Sequence, residues 1–121
     1  MPNKRTIVIG ASNNPERYAY KATLSLLSKG YEVFPIGIRN GQIGNLQIET
    51  DRIIYDNIDT VTLYVGPKNQ PDWYEYILAL QPKRIIFNPG TENEELVKLA
   101  HVENIETIEA CTLVMLSIGN Y

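Results

Sequence analysis

The 121-residue chain has little of what builds disulfides, metal sites or catalytic dyads, since it contains one cysteine, Cys111, and one histidine, His101. A single cysteine cannot form an internal disulfide, so nothing here argues for an oxidising compartment. A chain of this length buries roughly two-thirds of its unfolded surface, which is enough for a core without covalent staples. The sequence therefore predicts one domain spanning residues 1–121, with no metal ligands.

Long apolar runs and clusters of basic residues are missing as well. No apolar stretch approaches the roughly 20 residues needed to span a bilayer, and the first residues lead into only a short apolar run. The formal net charge is -3 without any Lys/Arg run, whereas a nucleic-acid surface needs clustered positive charge. We expect a soluble cytoplasmic protein that binds neither membrane nor nucleic acid, although a small anionic ligand can still be bound locally.

Strand and helix patterns alternate almost without interruption along the chain. This alternation predicts a Rossmann-like, doubly wound α/β domain, with a mainly parallel sheet of about five strands between two helical layers. Residues 37–44 are expected to form a mobile loop, and residues 46–54 a short edge strand or a turn of helix. The runs rich in β-branched and apolar residues that predict strands are 6–9, 31–36, 60–65, 84–87 and 105–108.

Sequence signals also predict where helices begin. Asn14 is expected to cap a helix that starts at Pro15, because the missing N–H of proline costs nothing at a first helical position. This helix N-terminus would lie directly beyond the first strand, where free N–H groups and the helix dipole favour a phosphate or another anion. Pro71 is expected to open the second helix, and Thr91 with Glu94 has capping-box spacing ahead of the third.

Four loops that follow predicted strands are rich in Gly or Pro, and a parallel sheet brings them to one edge. Ligands of such sheets bind outside the carboxyl ends of the strands, where small residues allow close approach to the backbone. In any single loop, Gly and Pro are more simply explained as turn residues. Four together favour a ligand cleft. The loops are Gly10-Ala11-Ser12, Pro35-Ile36-Gly37, Gly66-Pro67-Lys68 and Asn88-Pro89-Gly90.

The glycine spacing argues against a standard dinucleotide fingerprint. Ser12 and Pro15 stand where the second and third glycines of Gly-x-Gly-x-x-Gly would be, and no acidic residue follows the second strand to bind a ribose hydroxyl. NAD is therefore disfavoured. Arg39 follows that strand instead. Two interpretations of Arg39 are equally good: it binds a ribose phosphate, or it is a solvated loop residue. NADP and coenzyme A both carry such a phosphate.

Taken together, these residues resemble the small stand-alone CoA-binding proteins, which are similar to the CoA-binding domain of the succinyl-CoA synthetase α subunit. The resemblance covers essentially the whole chain. The matching segments are Val8-Ile9-Gly10-Ala11-Ser12 with Pro15 and Arg17, Gly30 to Ile36, Ile43-Gly44, Asp59-Thr60-Val61 and the late Cys111.

The resemblance implies a site for coenzyme A or an acyl-CoA. It implies that Gly10, Ala11 and Ser12 cradle the pyrophosphate, with Asn13 and Arg17 nearby. The remaining implied contacts come from the other strand ends: Pro35, Ile36 and Gly37 flank the nucleotide, and Val65, Gly66, Pro67, Asn88, Pro89 and Gly90 line the pantetheine path. The family commonly continues its second strand as Pro-Val-Asn-Pro, and this chain departs from that pattern at Gly37-Ile38.

Few side chains offer catalytic chemistry, and we predict no catalytic residue. His101 falls at the solvent-facing boundary of a predicted helix. Cys111 follows a strand end, where a disulfide with a thiol ligand is chemically feasible, but a free cysteine is more often a small buried hydrophobe. Ser12 lacks the Gly-x-Ser-x-Gly context of a hydrolase nucleophile. Asp56 and Asp59 precede a strand and therefore lie at the edge opposite the predicted cleft.

Three hypotheses follow for the function. The leading one is non-catalytic binding of coenzyme A or an acyl-CoA. The second is a small enzyme component that uses NADP or CoA together with a partner supplying catalytic groups. The third is a scaffold that has lost its ligand, which the departure at Gly37-Ile38 favours. The expected partner is a small nucleotide ligand, and a homodimer is slightly favoured on general grounds.

Overall fold

A parallel five-stranded sheet forms the centre of the structure, a computed structural model that describes residues 4–121. The elements in chain order are β1 (Thr6–Ile9), α1 (Tyr18–Ser28), β2 (Val33–Ile36), β3 (Gln42–Ile43), β4 (Leu46–Gln47), β5 (Thr60–Leu63), a 3₁₀ helix (Pro67–Asn69), α2 (Pro71–Leu80), β6 (Arg84–Phe87), α3 (Glu94–Val102), β7 (Glu106–Glu109) and α4 (Thr112–Ile118). The sheet order is β2-β1-β5-β6-β7, and β3 pairs with β4 in a separate antiparallel hairpin. The predicted Rossmann-like α/β architecture is confirmed.

Helices cover both faces of the sheet, which explains why the central strands β1 and β5 are buried along their whole length. Ile7 and Ile9 of β1 pack in one cluster with residues of α2 and α3, whereas Val8 packs in a second cluster with residues of α1 and α4. All three side chains are fully buried. Burying one such side chain contributes about 1.5–3 kcal/mol, so the core holds the strand ends in place from both sides. Each helix in the described part of the chain is too short or too polar to cross a bilayer.

The order of the strands creates a crevice above β1 and β5. From β1 the chain passes through α1 to β2 on one side, whereas β5 lies on the other side of β1 and leads through α2 to β6. The two connections therefore diverge on opposite faces of the sheet. In doubly wound sheets this point of divergence is where a ligand enters between the loops.

The predicted start of α1 is wrong. The helix begins at Tyr18, and Arg17 is its N-cap residue without a side-chain capping bond. The Asn14 side chain instead accepts a hydrogen bond from the Glu16 N–H at 3.0 Å, and Pro15 lies within the resulting turn. An Asn side chain closes such a turn on its own backbone as readily as it caps a helix, and here the turn is formed.

The predicted capping box of α3 is also wrong. Asn93 caps the helix by accepting hydrogen bonds from the N–H groups of Glu95 at 3.0 Å and Leu96 at 3.5 Å. The Thr91 hydroxyl instead donates to the carbonyl of Asn88 at 2.8 Å. Asn is at least as good a cap as Thr, so two adjacent candidates compete and the spacing alone does not choose between them.

The segment predicted as a loop and a poorly defined strand becomes a hairpin followed by an edge contact. Gly44, with a φ of 59°, lies in the turn between β3 and β4. Beyond the hairpin, Glu49 pairs with the free edge of β2: its N–H donates to the Pro35 carbonyl and its carbonyl accepts from the Gly37 N–H, both at 3.0 Å. This contact covers an edge strand whose Pro35 cannot donate.

The turn after β1 lies unusually close to the end of β2. The carbonyl of Ile36 accepts hydrogen bonds from both Gly10, at 3.0 Å, and Ala11, at 2.9 Å. A Cβ atom at Gly37 would lie only 2.6 Å from the carbonyl oxygen of Ala11 and 3.1 Å from the Ile48 side chain. Glycine is therefore required at this position so that the two loops can meet.

We expect Gly37→Ala to lower the free energy of unfolding by about 1–3 kcal/mol, because the added methyl group must displace the Ala11 carbonyl. Chemical denaturation measures this change. Gly66→Ala is the matched control, since a Cβ there meets no atom within 4 Å and the φ is -63°. Its expected effect is within about 0.5 kcal/mol of zero. Equal destabilisation by both substitutions would contradict the close approach at Gly37.

Candidate functional site

A cleft of about 1150 Å³ lies above the carboxyl ends of β1 and β5. Its volume is slightly above the range of about 300–1,000 Å³ usual for ligand sites. Many residues predicted for the site meet here because they follow adjacent strands or begin α1. The predicted residues that line the cleft are Gly10, Ala11, Ser12, Asn13, Arg17, Arg39, Val65 and Gly66.

The other predicted residues lie outside the lining of this cleft. Ile36 and Gly37 are buried beneath the turn after β1 and support it. The Asn88-Pro89-Gly90 loop follows β6, which is separated from β1 by β5. The full set that the structure does not bring into the lining is Pro15, Pro35, Ile36, Gly37, Pro67, Asn88, Pro89, Gly90 and Cys111.

Asn88 is bound tightly within the fold. Its Nδ2 group donates to the Thr62 hydroxyl at 2.7 Å and to the Leu63 carbonyl at 2.9 Å. Its Oδ1 accepts from the backbone N–H of Thr112 at 2.9 Å. The side chain thus joins β5, β6 and the first turn of α4, and both of its amide hydrogens are used inside the protein.

Backbone donors are open at the start of α1. No side chain caps this helix, so the N–H groups of its first turn, beginning at Tyr18, are unpaired within residues 4–121. In the preceding turn, Gly10 and Ala11 donate to the Ile36 carbonyl. The N–H groups of Ser12 and Asn13 donate to no other residue in that described range. Free backbone donors of this kind can bind an anion, and they lie on the Ser12 side of the turn.

Three arginines line the same cleft: Arg17, Arg39 and Arg52. None of them forms a salt bridge with another residue in the range 4–121. Glu16 and Asp72 are the carboxylates of the lining. Unpaired arginines collected in one cleft of a protein with a net charge of -3 indicate a site for an anionic ligand.

Sequence reasoning missed Arg52 and its contact with Trp73. The Arg52 guanidinium stacks over the indole with its central carbon 3.9 Å from the ring centroid, and its Nη1 donates to the Asp72 carbonyl. Arg52 lies in the irregular segment between β4 and β5, where no periodicity predicts which side chains point at a ligand. Its sequence context gives no signal either, because Asp51 is adjacent to it and Glu49 is three residues away.

Tyr64 follows β5 and also lines the cleft. Its hydroxyl is buried without a hydrogen-bond partner among the described residues, and the nearby hydroxyls of Thr62 and Thr112 are bonded to each other at 2.8 Å. Burial raises the pKa of Tyr64 to about 12, although the same two hydroxyls offset part of this shift. At neutral pH the group is therefore a protonated hydroxyl and not a general base.

The histidine, the cysteine and the carboxylate ahead of β5 lie away from the cleft lining. His101 is exposed on α3, with its Nε2 3.4 Å from the Thr107 hydroxyl. Cys111 is half-buried at the start of α4. Asp59 lies at the amino end of β5, with its Oδ1 3.9 Å from Nε of Arg84. Residues 4–121 contain no cluster of His, Cys, Asp and Glu arranged to hold a metal ion.

Comparison with known protein families identifies the family of the chain. The sequence pattern of the CoA binding domain matches residues 4–117. The chain belongs to the CoA-binding domain family. The resemblance predicted from the turn after β1, the second strand and the late cysteine is thereby confirmed. No curated protein sequence matches the chain.

Solved structures show the same fold alone and within a longer chain. The chain is 46% identical to a protein described only as uncharacterized, over 100% of both chains with a TM-score of 0.97. It is 27% identical to a hypothetical protein from Pyrococcus horikoshii OT3, over 96% of this chain and 83% of that one, with a TM-score of 0.85. A dinucleotide-forming acetyl-coenzyme A synthetase from Ca. Korarchaeum cryptofilum, in complex with phosphate and ADP, shares the fold at 21% identity, covering 88% of this chain and 25% of that one (TM-score 0.74).

In this CoA-binding domain, we expect Asn88→Ala to lower the free energy of unfolding by about 2 kcal/mol or more, because buried groups on β5 and α4 lose their partner. Urea denaturation provides the measurement. Asn69→Ala is the matched control, since Asn69 is exposed and lines the cleft. An Asn88→Ala protein of unchanged stability and weaker ligand binding would instead make Asn88 a ligand contact.

Proposed function

We propose that this protein binds coenzyme A, free or acylated, in the cleft above β1 and β5, and that it does so without catalysing a reaction. The observation that carries the proposal is the collection of unpaired positive groups in that cleft: three arginines and an uncapped N-terminus of an 11-residue helix. Coenzyme A brings a pyrophosphate and a ribose phosphate to such a site. Membership of the CoA-binding domain family supports this ligand over other polyphosphates.

The pyrophosphate binds at the start of α1 in this proposal. Ser12 and Asn13 offer backbone N–H groups, the first turn of α1 offers more, and Arg17 supplies a guanidinium beside them. Gly10 contributes through its shape, because its φ is 93° and a Cβ there would lie 3.0 Å from the carbonyl of Tyr64. In the predicted Gly10-Ala11-Ser12 cradle, Gly10 and Ala11 thus hold the shape of the turn, whereas Ser12, with Asn13, offers the donors; we call these the structural half and the donor half.

The adenosine and pantetheine bind along the rest of the cleft. Tyr18 and Ile38 line its rim and are 68% and 80% exposed, which is unusual for large apolar side chains and suits contact with an adenine ring. Val65 and Gly66 follow β5 and line the neighbouring wall, which suits the narrow, flexible pantetheine. Gly37, at the departure from the family pattern, supports the turn after β1, so this departure does not remove the pyrophosphate site.

The chemistry of the lining supports binding without catalysis. Tyr64 lines the cleft, and burial raises its pKa to about 12, so its hydroxyl stays protonated at neutral pH. Catalytic acids and bases need pKa values near the working pH. A role as an enzyme component would therefore require catalytic groups from a partner.

Ligand-dependent stability tests the proposal. At a concentration about one hundred times its Kd, a ligand stabilises the fold by about 2.7 kcal/mol, which raises the Tm of a domain of this size by several degrees. We expect such a shift with CoA and acetyl-CoA and none with NAD. Equal shifts with CoA and acetyl-CoA would fit a site that does not read the acyl group. No shift with any CoA species would contradict the proposal, and a shift with NADP alone would favour the enzyme-component hypothesis.

Ser12→Asp tests the position of the pyrophosphate. A carboxylate at the donor half of the cradle repels the phosphates, so we expect the CoA-dependent rise in Tm to disappear while the free protein still unfolds cooperatively. Ser117→Asp carries the same charge on the exposed face of α4, outside the cleft lining, and should keep the CoA response. If Ser12→Asp bound CoA normally, the turn after β1 would not hold the pyrophosphate.

A further inference from the structure

Asn40 and Gly41 form the one Asn-Gly pair of the sequence, and they lie in the segment between β2 and β3. Asn40 is exposed and lines the cleft. The backbone N–H of Gly41 donates to no other residue in the range 4–121, although the Gly41 carbonyl accepts from the Ile48 N–H at 2.8 Å. The Asn40 side chain is therefore followed by a backbone nitrogen that is not held in a hydrogen bond.

An asparagine followed by glycine loses its side-chain amide without a catalyst. The backbone nitrogen of the next residue attacks the side-chain carbonyl carbon and forms a new N–C bond. The bond to the amide nitrogen breaks, and ammonia leaves with the proton of the attacking N–H. Water then opens the resulting succinimide ring at one of its two carbonyls, which gives aspartate or isoaspartate. Glycine favours the attack because it has no side chain to crowd the nitrogen and adopts the backbone conformations that the ring requires.

The hairpin also contains an asparagine that lacks this partner. Asn45 lies in the turn between β3 and β4 and is exposed like Asn40, but the next residue is Leu46. A leucine side chain crowds the nitrogen that would have to attack. The two asparagines thus differ in the residue that follows, while both are open to water.

The reaction would place a carboxylate in the cationic part of the cleft. Asn40 follows Arg39 directly, and both line the cleft. The next residue, Gly41, lies against Asn13, because a Cβ atom at Gly41 would be 2.9 Å from both Cβ and Nδ2 of Asn13. Isoaspartate would add a methylene group to the main chain one residue before this contact. A negative charge beside Arg39 opposes an anionic ligand, and a longer main chain disturbs Asn13 in the donor half of the cradle.

We propose that Asn40 is a site of spontaneous deamidation, and that its conversion to aspartate or isoaspartate weakens the binding of an anionic ligand in the cleft. The chemical step depends on the Asn40–Gly41 pair and water alone. The effect on affinity rests on the proposed function, because it requires the pyrophosphate to lie near Ser12 and Asn13.

Storage of the folded wild-type protein and of Asn40→Gln at physiological temperature and mildly alkaline pH tests the chemical step. Peptide mapping by mass spectrometry should show the side-chain amide at Asn40 replaced by a hydroxyl, with part of the product accepting a methyl group from protein isoaspartate methyltransferase. Asn45 should keep its amide. Asn40→Gln should stay intact at this position, because the longer side chain closes its ring far more slowly.

Titration calorimetry with CoA measures the consequence for the cleft. The deamidated protein carries an additional negative charge, so anion exchange separates it from the intact protein. We expect the deamidated fraction to bind CoA at least about tenfold more weakly than the intact fraction, the order of magnitude of one lost charge-assisted contact. Stored Asn40→Gln should bind CoA as tightly as freshly purified Asn40→Gln. Freshly purified Asn40→Asp should show the part of the loss that comes from charge.

The outcomes separate the modification from the proposed function. An Asn40 that keeps its amide, or equal reaction at Asn40 and Asn45, would overturn the modification and leave CoA binding intact. A deamidated fraction with the CoA affinity of the intact fraction would overturn the effect on the cleft. Fresh wild-type protein that binds no CoA would overturn the proposed function and the effect on affinity together, whereas the mass spectra would still decide the chemical step.

Discussion

The double hydrogen bond to the carbonyl of Ile36 is the contact on which the cleft depends. Gly10 and Ala11 both donate to it, and they reach it because Gly37 has no side chain to hold the loops apart. This contact draws the turn after β1 onto the end of β2 and uses the first two N–H groups of the turn. The next N–H groups, those of Ser12 and Asn13, have no partner in the described part of the chain. The close approach at Gly37 therefore determines both the position of the turn and which of its N–H groups are free.

The cleft has several local features that do not stabilise the fold. α1 begins without a capping side chain, three cleft arginines have no carboxylate partner in the described part of the chain, and the Tyr64 hydroxyl is buried without a partner there. Each is unfavourable by itself, and the apolar core on both faces of the sheet offsets it. Such departures from local rules gather where proteins bind ligands. A polyphosphate would satisfy the helix and the arginines together.

The sequence predicts the sheet better than it predicts the helix starts and the site. Arg84–Phe87 was predicted to the residue, because a short β-branched and apolar run has one stable place in a doubly covered parallel sheet. The starts of α1 and α3 were wrong because adjacent Asn, Pro and Thr residues offer competing caps and turns of similar energy. Arg52 was missed, since only the tertiary pairing of Glu49 with β2 and the stacking on Trp73 bring it to the cleft.

Amide chemical shifts during a CoA titration test the central claim most directly, because they report where on the fold the ligand binds. The account predicts saturable changes in the ¹⁵N–¹H spectrum at Ser12, Asn13 and the first turn of α1, with further changes at Gly66 after β5. The amides of Lys83 and Glu106, which lie at the opposite edge of the sheet, should stay unchanged. Saturable changes confined to that opposite edge, or none at millimolar CoA, would contradict the account.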